Sequence, residues 1–134
     1  MKIAFATTDE KNINDHFGRA GMFAVYDISK DGSRFVEIRK FADGEDTSIT
    51  STREQGQVHE DLVQAKVDRL SDCRIVYLTE IGGPAAARLV KKGMMPLKVK
   101  EVTAIDDALE QLKATISGTP PPWLRKAMIS DSNQ

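Results

Sequence analysis

The chain has 134 residues, 40% of them hydrophobic and 29% charged, the composition of one ordinary globular domain rather than a disordered or membrane-embedded chain. Its 19 Lys and Arg against 20 Asp and Glu leave a net charge of −1, without the basic excess of a general nucleic-acid binder. The single cysteine, Cys73, excludes an intramolecular disulfide and any complete cysteine-built zinc or iron–sulfur cage from this chain alone.

The N-terminus reaches Asp9 after a short apolar stretch, too short for a signal-peptide core, and no run approaches the roughly 20 apolar residues of a membrane span. The expectation is a cytoplasmic protein with neither nucleic acid nor membrane as partner. Residues 2–7 read as a buried opening strand, followed by a polar loop around Asp15-His16-Phe17-Gly18-Arg19. Met22, Phe23, Val25, Tyr26 and Ile28 make a second strand. The turn Lys30-Asp31-Gly32-Ser33 joins it to a third through Phe35, Val36, Ile38 and Phe41, an antiparallel pair. Residues 42–56 are almost devoid of apolar side chains and read as an exposed loop.

Val58, Leu62, Ala65, Arg69 and Leu70 recur at helical spacing and predict an amphipathic helix over 56–70. Arg74 to Thr79 is a continuous apolar strand of the kind buried on both faces. Gly82-Gly83-Pro84 opens a second helix, with Pro84 at its first position and Gly93 as its stop. Leu97, Val99 and Val102 form a fifth strand. Thr103 reads as the cap of a third helix, answered by Asp106, running through Ile105, Ala108, Leu109, Leu112 and Ile116 to Gly118. The order is β-β-β-α-β-α-β-α: an α/β fold with a mixed five-stranded sheet covered by helices. Residues 1–118 make one ligand-binding domain, and 119–134 a Pro-rich tail that begins extended. In that tail Trp123 and Leu124 offer either an anchor for a partner or a return onto their own domain.

Ligands of open α/β sheets bind beyond the carboxyl ends of strands, where the chain departs in opposite directions. If the first and fourth strands are neighbours, Thr7-Thr8-Asp9 stands beside Thr79 to Gly83, and the loop bearing His16 and Arg19 overhangs the crevice. His16 is of the residue type that ligates iron, Arg19 supplies positive charge for an anion, Gly18 permits close approach, and the Gly82-Gly83 turn presents amides at a helix start. Each alone has a plain alternative: a loop histidine is most often a surface residue, and a Gly-Gly pair usually only a tight turn. Cys73 is expected at the edge of the core, a weaker candidate for ligand contact. Neither Walker A nor G-x-G-x-x-G is present, and no carboxylates recommend themselves for two-metal chemistry, so an enzyme is not expected.

Lys2-Ile3-Ala4-Phe5-Ala6-Thr7, Asp15-His16-Phe17-Gly18-Arg19-Ala20 and Phe23-Ala24-Val25-Tyr26 resemble the dinitrogenase iron–molybdenum cofactor biosynthesis family. Asp72 to Tyr77 and Gly82-Gly83 fit it as well, and the close Pro120-Pro121-Pro122-Trp123-Leu124-Arg125 is similar to its NifX-type members. The resemblance spans 1–128 and implies a ribonuclease-H-like motif. It also implies non-catalytic binding of an iron–sulfur precursor of the iron–molybdenum cofactor, or of the finished cofactor, with assembly scaffold and cofactor synthase as partners. It makes His16 the favoured cluster contact, with Phe17, Gly18, Arg19, Gly82 and Gly83 around it. The other reading is a regulator of nitrogenase assembly that holds no cluster.

Overall fold

The computed structural model describes residues 1–29, 31–41 and 63–126. The exposed loop expected over 42–56 and the first part of the helix expected over 56–70 lie outside the described residues. The strands are β1 (Lys2–Ala6), β2 (Asn12–Ile13), β3 (Met22–Ser29), β4 (Gly32–Lys40), β5 (Cys73–Leu78), β6 (Met95–Lys98) and β7 (Thr103–Ala104). The helices are α1 (described over 63–69), α2 (Gly83–Lys91) and α3 (Ile105–Ser117), with a last helical turn over 122–126. None of the described helices is long and apolar enough to cross a membrane.

Five strands form a mixed sheet in the order β4-β3-β1-β5-β6. The pairs β1–β3 and β3–β4 are antiparallel, whereas β1–β5 and β5–β6 are parallel. The expected neighbour relation between the first strand and the Arg74–Thr79 strand is therefore present, with Ile3 opposite Ile75 and Phe5 opposite Tyr77. Period-two alternation along β1 divides the core. Ala4 and Ala6 face a layer built with Phe23, Val67, Leu70, Val76 and Leu89, under α1 and α2. Ile3 and Phe5 face the opposite layer with Ile75, Leu109, Leu112 and Ile116, under α3. Phe5 stacks on Tyr77 at 5.0 Å between ring centres and meets Tyr26 edge-on at 5.7 Å.

Helix α2 ends as its sequence predicts. Gly93 adopts φ +84, its amide donates to the Val90 carbonyl at 2.9 Å, and the Met94 amide donates to that of Leu89 at 2.9 Å. Leu89 and Met94 are buried in the same layer, completing a Schellman stop. Pro84 stands at the second helical residue, one later than expected.

Three details depart from the sequence reading. The fifth strand of the sheet is Met95–Lys98, with Val102 outside it and exposed. Thr103 does not cap α3. It pairs with Ile13 in a small antiparallel β2–β7 sheet, the cap position falls to Ala104, and the Thr103 hydroxyl donates to the Glu101 carbonyl at 2.9 Å. In α1 and the residue after it the buried positions are Val63, Lys66, Val67 and Leu70, while Ala65 and Arg69 are exposed. The inward stripe is thus rotated from the expected one, because the charge of Lys66 interrupts the face that Val63, Val67 and Leu70 share, and a match on apolar residues alone passes over it.

Leu124 lies 1% exposed in the α3 layer, with Trp123 packed beside it. Of the two readings of the tail, these residues follow the return onto the domain.

Candidate functional site

The connection leaving β1 is stiffened before it reaches the His16 segment. Thr7 is buried, and its hydroxyl accepts the amides of Asp9 (3.3 Å) and Glu10 (3.0 Å) and donates to the Asp9 carboxylate (3.2 Å). That carboxylate also accepts the Asn12 side-chain amide and the backbone amides of Lys11 and Asn12, each at 2.9 Å. These donors, the Asn12 side chain foremost, hold the Asp9 carboxyl far below the usual carboxylate range. Asp9 is therefore committed to its own turn.

The following residues attach to the end of β5. The Thr79 amide donates to the Asp15 carbonyl at 3.0 Å and the Phe17 amide to the Glu80 carbonyl at 2.8 Å, so that His16 and Glu80 form a parallel bridge. The chain then makes one tight turn, in which the His16 carbonyl accepts the amides of Arg19 (3.2 Å) and Ala20 (2.9 Å). The turn sorts its side chains by polarity. Phe17 and Ala20 are wholly buried, Phe17 against Phe23 at 5.8 Å, while His16 and Arg19 are exposed on the other side.

An open cleft of about 630 Å³ lies between this turn and the start of α2, lined by His16, Gly18, Arg19, Glu80, Ile81 and Gly82. It stands at the carboxyl ends of β1 and β5, where the chain from β1 continues towards β3 and that from β5 towards β6. Helix α2 carries no side-chain cap and no acidic residue in its first turn, so its amide end meets the cleft without a competing carboxylate of its own. The Glu80 carboxylate is engaged by the Lys98 ammonium at 3.2 Å. An imidazole, a guanidinium, a helix start and a partly neutralised carboxylate favour an anion that can also take a nitrogen ligand.

The structure thus brings together His16, Gly18, Arg19 and Gly82. Gly83 begins α2 just beyond the lining, and a Cβ there would meet nothing within 4 Å, so no close approach requires the glycine. Phe17 belongs to the core and shapes the cleft only through its backbone. Cys73 is fully buried at the opposite end of β5, roughly 17 Å along the strand from Leu78. Burial, with the Asp72 carboxylate beside it, pushes its thiol up to about 12. Among the described residues, no three His, Cys, Asp or Glu side chains converge to hold a metal ion.

Sequence reasoning missed Lys66 and gave Glu80 no role. Lys66 is 1% exposed, and its ammonium donates to the carbonyls of Phe17 (2.9 Å), Ala20 (3.1 Å) and Gly18 (3.4 Å). Its signal in the sequence was a charge in register with Val63, Val67 and Leu70, the four falling at i, i+3, i+4 and i+7 along one helix face.

Fold and cleft together define a small α/β protein with an open cleft at the strand ends of a mixed sheet. The dinitrogenase iron–molybdenum cofactor family model matches residues 1–115, and the chain belongs to that family. It is similar to protein NifX of Rhodobacter capsulatus, 40% identical over 128 residues that cover 96% of this chain and 77% of that one. It is also similar to protein NifX of Sinorhizobium fredii (strain NBRC 101917 / NGR234), 43% identical over 128 residues, with 96% and 78% covered. These relatives place it with the NifX-type members of the family. The crystal structure of PH0822 matches it at a TM-score of 0.62 over 92% of this chain and 97% of that one; at 20% identity this speaks for the fold alone.

Proposed function

We propose that this protein serves the biosynthesis of the iron–molybdenum cofactor as a non-catalytic carrier, binding an iron–sulfur precursor or the finished cofactor as cargo. It works in the cytoplasm on a ribonuclease-H-like frame, carrying between assembly scaffolds and nitrogenase, with the scaffold and the cofactor synthase as partners. The observation that carries this reading is the convergence of His16, Arg19 and the α2 start on one open cleft. A cluster of iron and sulfide is anionic and brings most of its own iron ligands. It needs few protein bonds, and surrounding cations and amide donors supply the rest. His16 is the group in the cleft that bonds iron most readily, Arg19 and the helix start balance charge, and Lys98 keeps Glu80 from repelling the cargo. Openness and few ligands suit a molecule that must also release what it holds.

The test is anaerobic incubation of the chain with a cluster-loaded donor protein, then separation and measurement of iron per chain and of the visible absorption spectrum. Retained iron with a spectrum perturbed from the donor's supports carriage. A chain that binds the donor yet keeps no iron after separation is a regulator instead.

A further inference from the structure

Among the described residues, Thr7 and Lys66 are the buried polar side chains, and only Lys66 carries a charge. A lysine buried to this degree is costly unless its ammonium is compensated. Here the compensation is directed. Three rings surround the ammonium, Phe17 at 5.5 Å, Phe41 at 5.7 Å and Phe23 at 5.9 Å from nitrogen to ring centre. Among the described residues, the carbonyls that accept from it, those of Phe17, Gly18 and Ala20, belong to the turn that presents His16 and Arg19. A methionine or leucine would fill the space between the rings with no charge to desolvate. What the ammonium adds is a set of oriented, charge-assisted hydrogen bonds to one short segment.

We infer that Lys66 is a positioning residue for the cleft: by drawing in the carbonyls of Phe17, Gly18 and Ala20 it sets the angle at which His16 and Arg19 enter it. Its bearing on cargo rests on the carrier reading, but the positioning role itself is measurable without cargo. The turn has its own internal bonds, from the Arg19 and Ala20 amides to the His16 carbonyl, and its start is tied to the residues just after β5, by the Thr79 amide to the Asp15 carbonyl and the Phe17 amide to the Glu80 carbonyl. These bonds run along the chain or sideways to the sheet. Lys66 reaches the turn from α1, a third direction, and completes its fixation in space.

The experiment is amide hydrogen exchange by NMR on the metal-free full chain, comparing the natural protein with Lys66→Met and Lys66→Arg. The amides of Phe17, Arg19 and Ala20 report on the turn, and those of Ile3 to Ala6 and Ile75 to Leu78 on the sheet. In Lys66→Met the turn amides are expected to exchange about tenfold faster or more while the sheet amides keep their protection. The His16 imidazole resonances shift with them, and Lys66→Arg, which keeps charge and donors, restores part of both. Unchanged turn protection in Lys66→Met overturns the inference. Equal loss over turn and sheet overturns it too, since Lys66 then serves the core as a whole. In the cargo assay, Lys66→Met should retain less iron than Lys66→Arg. If the turn loosens as expected but even the natural protein retains no iron, the positioning role stands and the carrier reading falls.

Discussion

His16 and Glu80 face each other across a single parallel bridge, joined by the Phe17 amide donating to the Glu80 carbonyl at 2.8 Å. Paired residues on neighbouring strands stand about 5 Å apart with side chains on a common side. A loop residue 64 positions away in sequence, by subtraction of the two numbers, is thereby registered against the end of β5 as though it were a strand. The exposed imidazole therefore has a defined backbone frame although it sits in a turn.

That frame predicts a separation of binding from folding. His16→Ala should lower retained iron several-fold while shifting stability by no more than about 0.5 kcal/mol, the usual range for an exposed side chain. Cys73→Ala should do the reverse, retaining iron but unfolding at a lower temperature, because Cys73 lies wholly inside the α1–α2 layer. Iron per chain and thermal melting of the two variants check both halves.

Arg19 is exposed at the cleft, so its attraction for an anion passes through solvent and is screened by salt. Arg19→Gln should weaken cargo binding less than His16→Ala does, and the difference from the natural protein should shrink between low and high ionic strength. A loss of binding independent of salt would mean that Arg19 bonds the cargo directly.

Away from the cleft, Arg39 grips Asp72 with its two terminal guanidinium nitrogens, at 2.6 Å and 2.8 Å, and Lys2 adds a contact at 3.2 Å. These partners, Arg39 first, hold the Asp72 carboxyl below its ordinary 3.8. A depressed folded value means that unfolding takes up a proton. The stabilisation is complete above the ordinary carboxylate value and is lost as pH falls through the depressed range beneath it. Since the Asp72 side chain is 43% exposed, solvent reduces its worth to about 1 kcal/mol. Asp72→Asn should lower the midpoint of urea unfolding at pH 7 and converge on the natural protein as the solution is acidified.

The segment after α3 turns back at Pro121, whose carbonyl accepts the amides of Leu124 (3.1 Å) and Arg125 (3.0 Å), and delivers Leu124 to the core. Leu124→Ala should cost about 2 kcal/mol, towards the low end for a buried leucine because a terminal turn can relax. Truncation after Gly118 should lower the melting temperature further, and a truncated chain that melts normally would assign the segment to docking instead.

The alternation of Ile3, Ala4, Phe5 and Ala6, the Asp-Gly turn near 31–32, the helical stripe from Ile105 to Ile116 and the Gly93 stop were legible because each depends on neighbours within one turn or one pleat. Composition and those periods determined an α/β chain with a mixed sheet, and the residues around His16 were legible as a turn standing beside Gly82 at the strand ends. The short β2–β7 pair was not legible, because two-residue strands leave no period to read. Nor was the true inward face of α1, where Lys66 breaks the apolar pattern for a reason lying outside the helix. Only the tertiary structure decided that Cys73 and Phe17 belong to the core, that Glu80 is paired with Lys98, and that Lys66 holds the His16 turn. Periodicity along a chain reports which side of an element is apolar. Which groups meet at a site is set by pairing between segments tens of residues apart, and there the same side chain, a lysine, is solvent-facing or buried according to what the rest of the fold brings to its end.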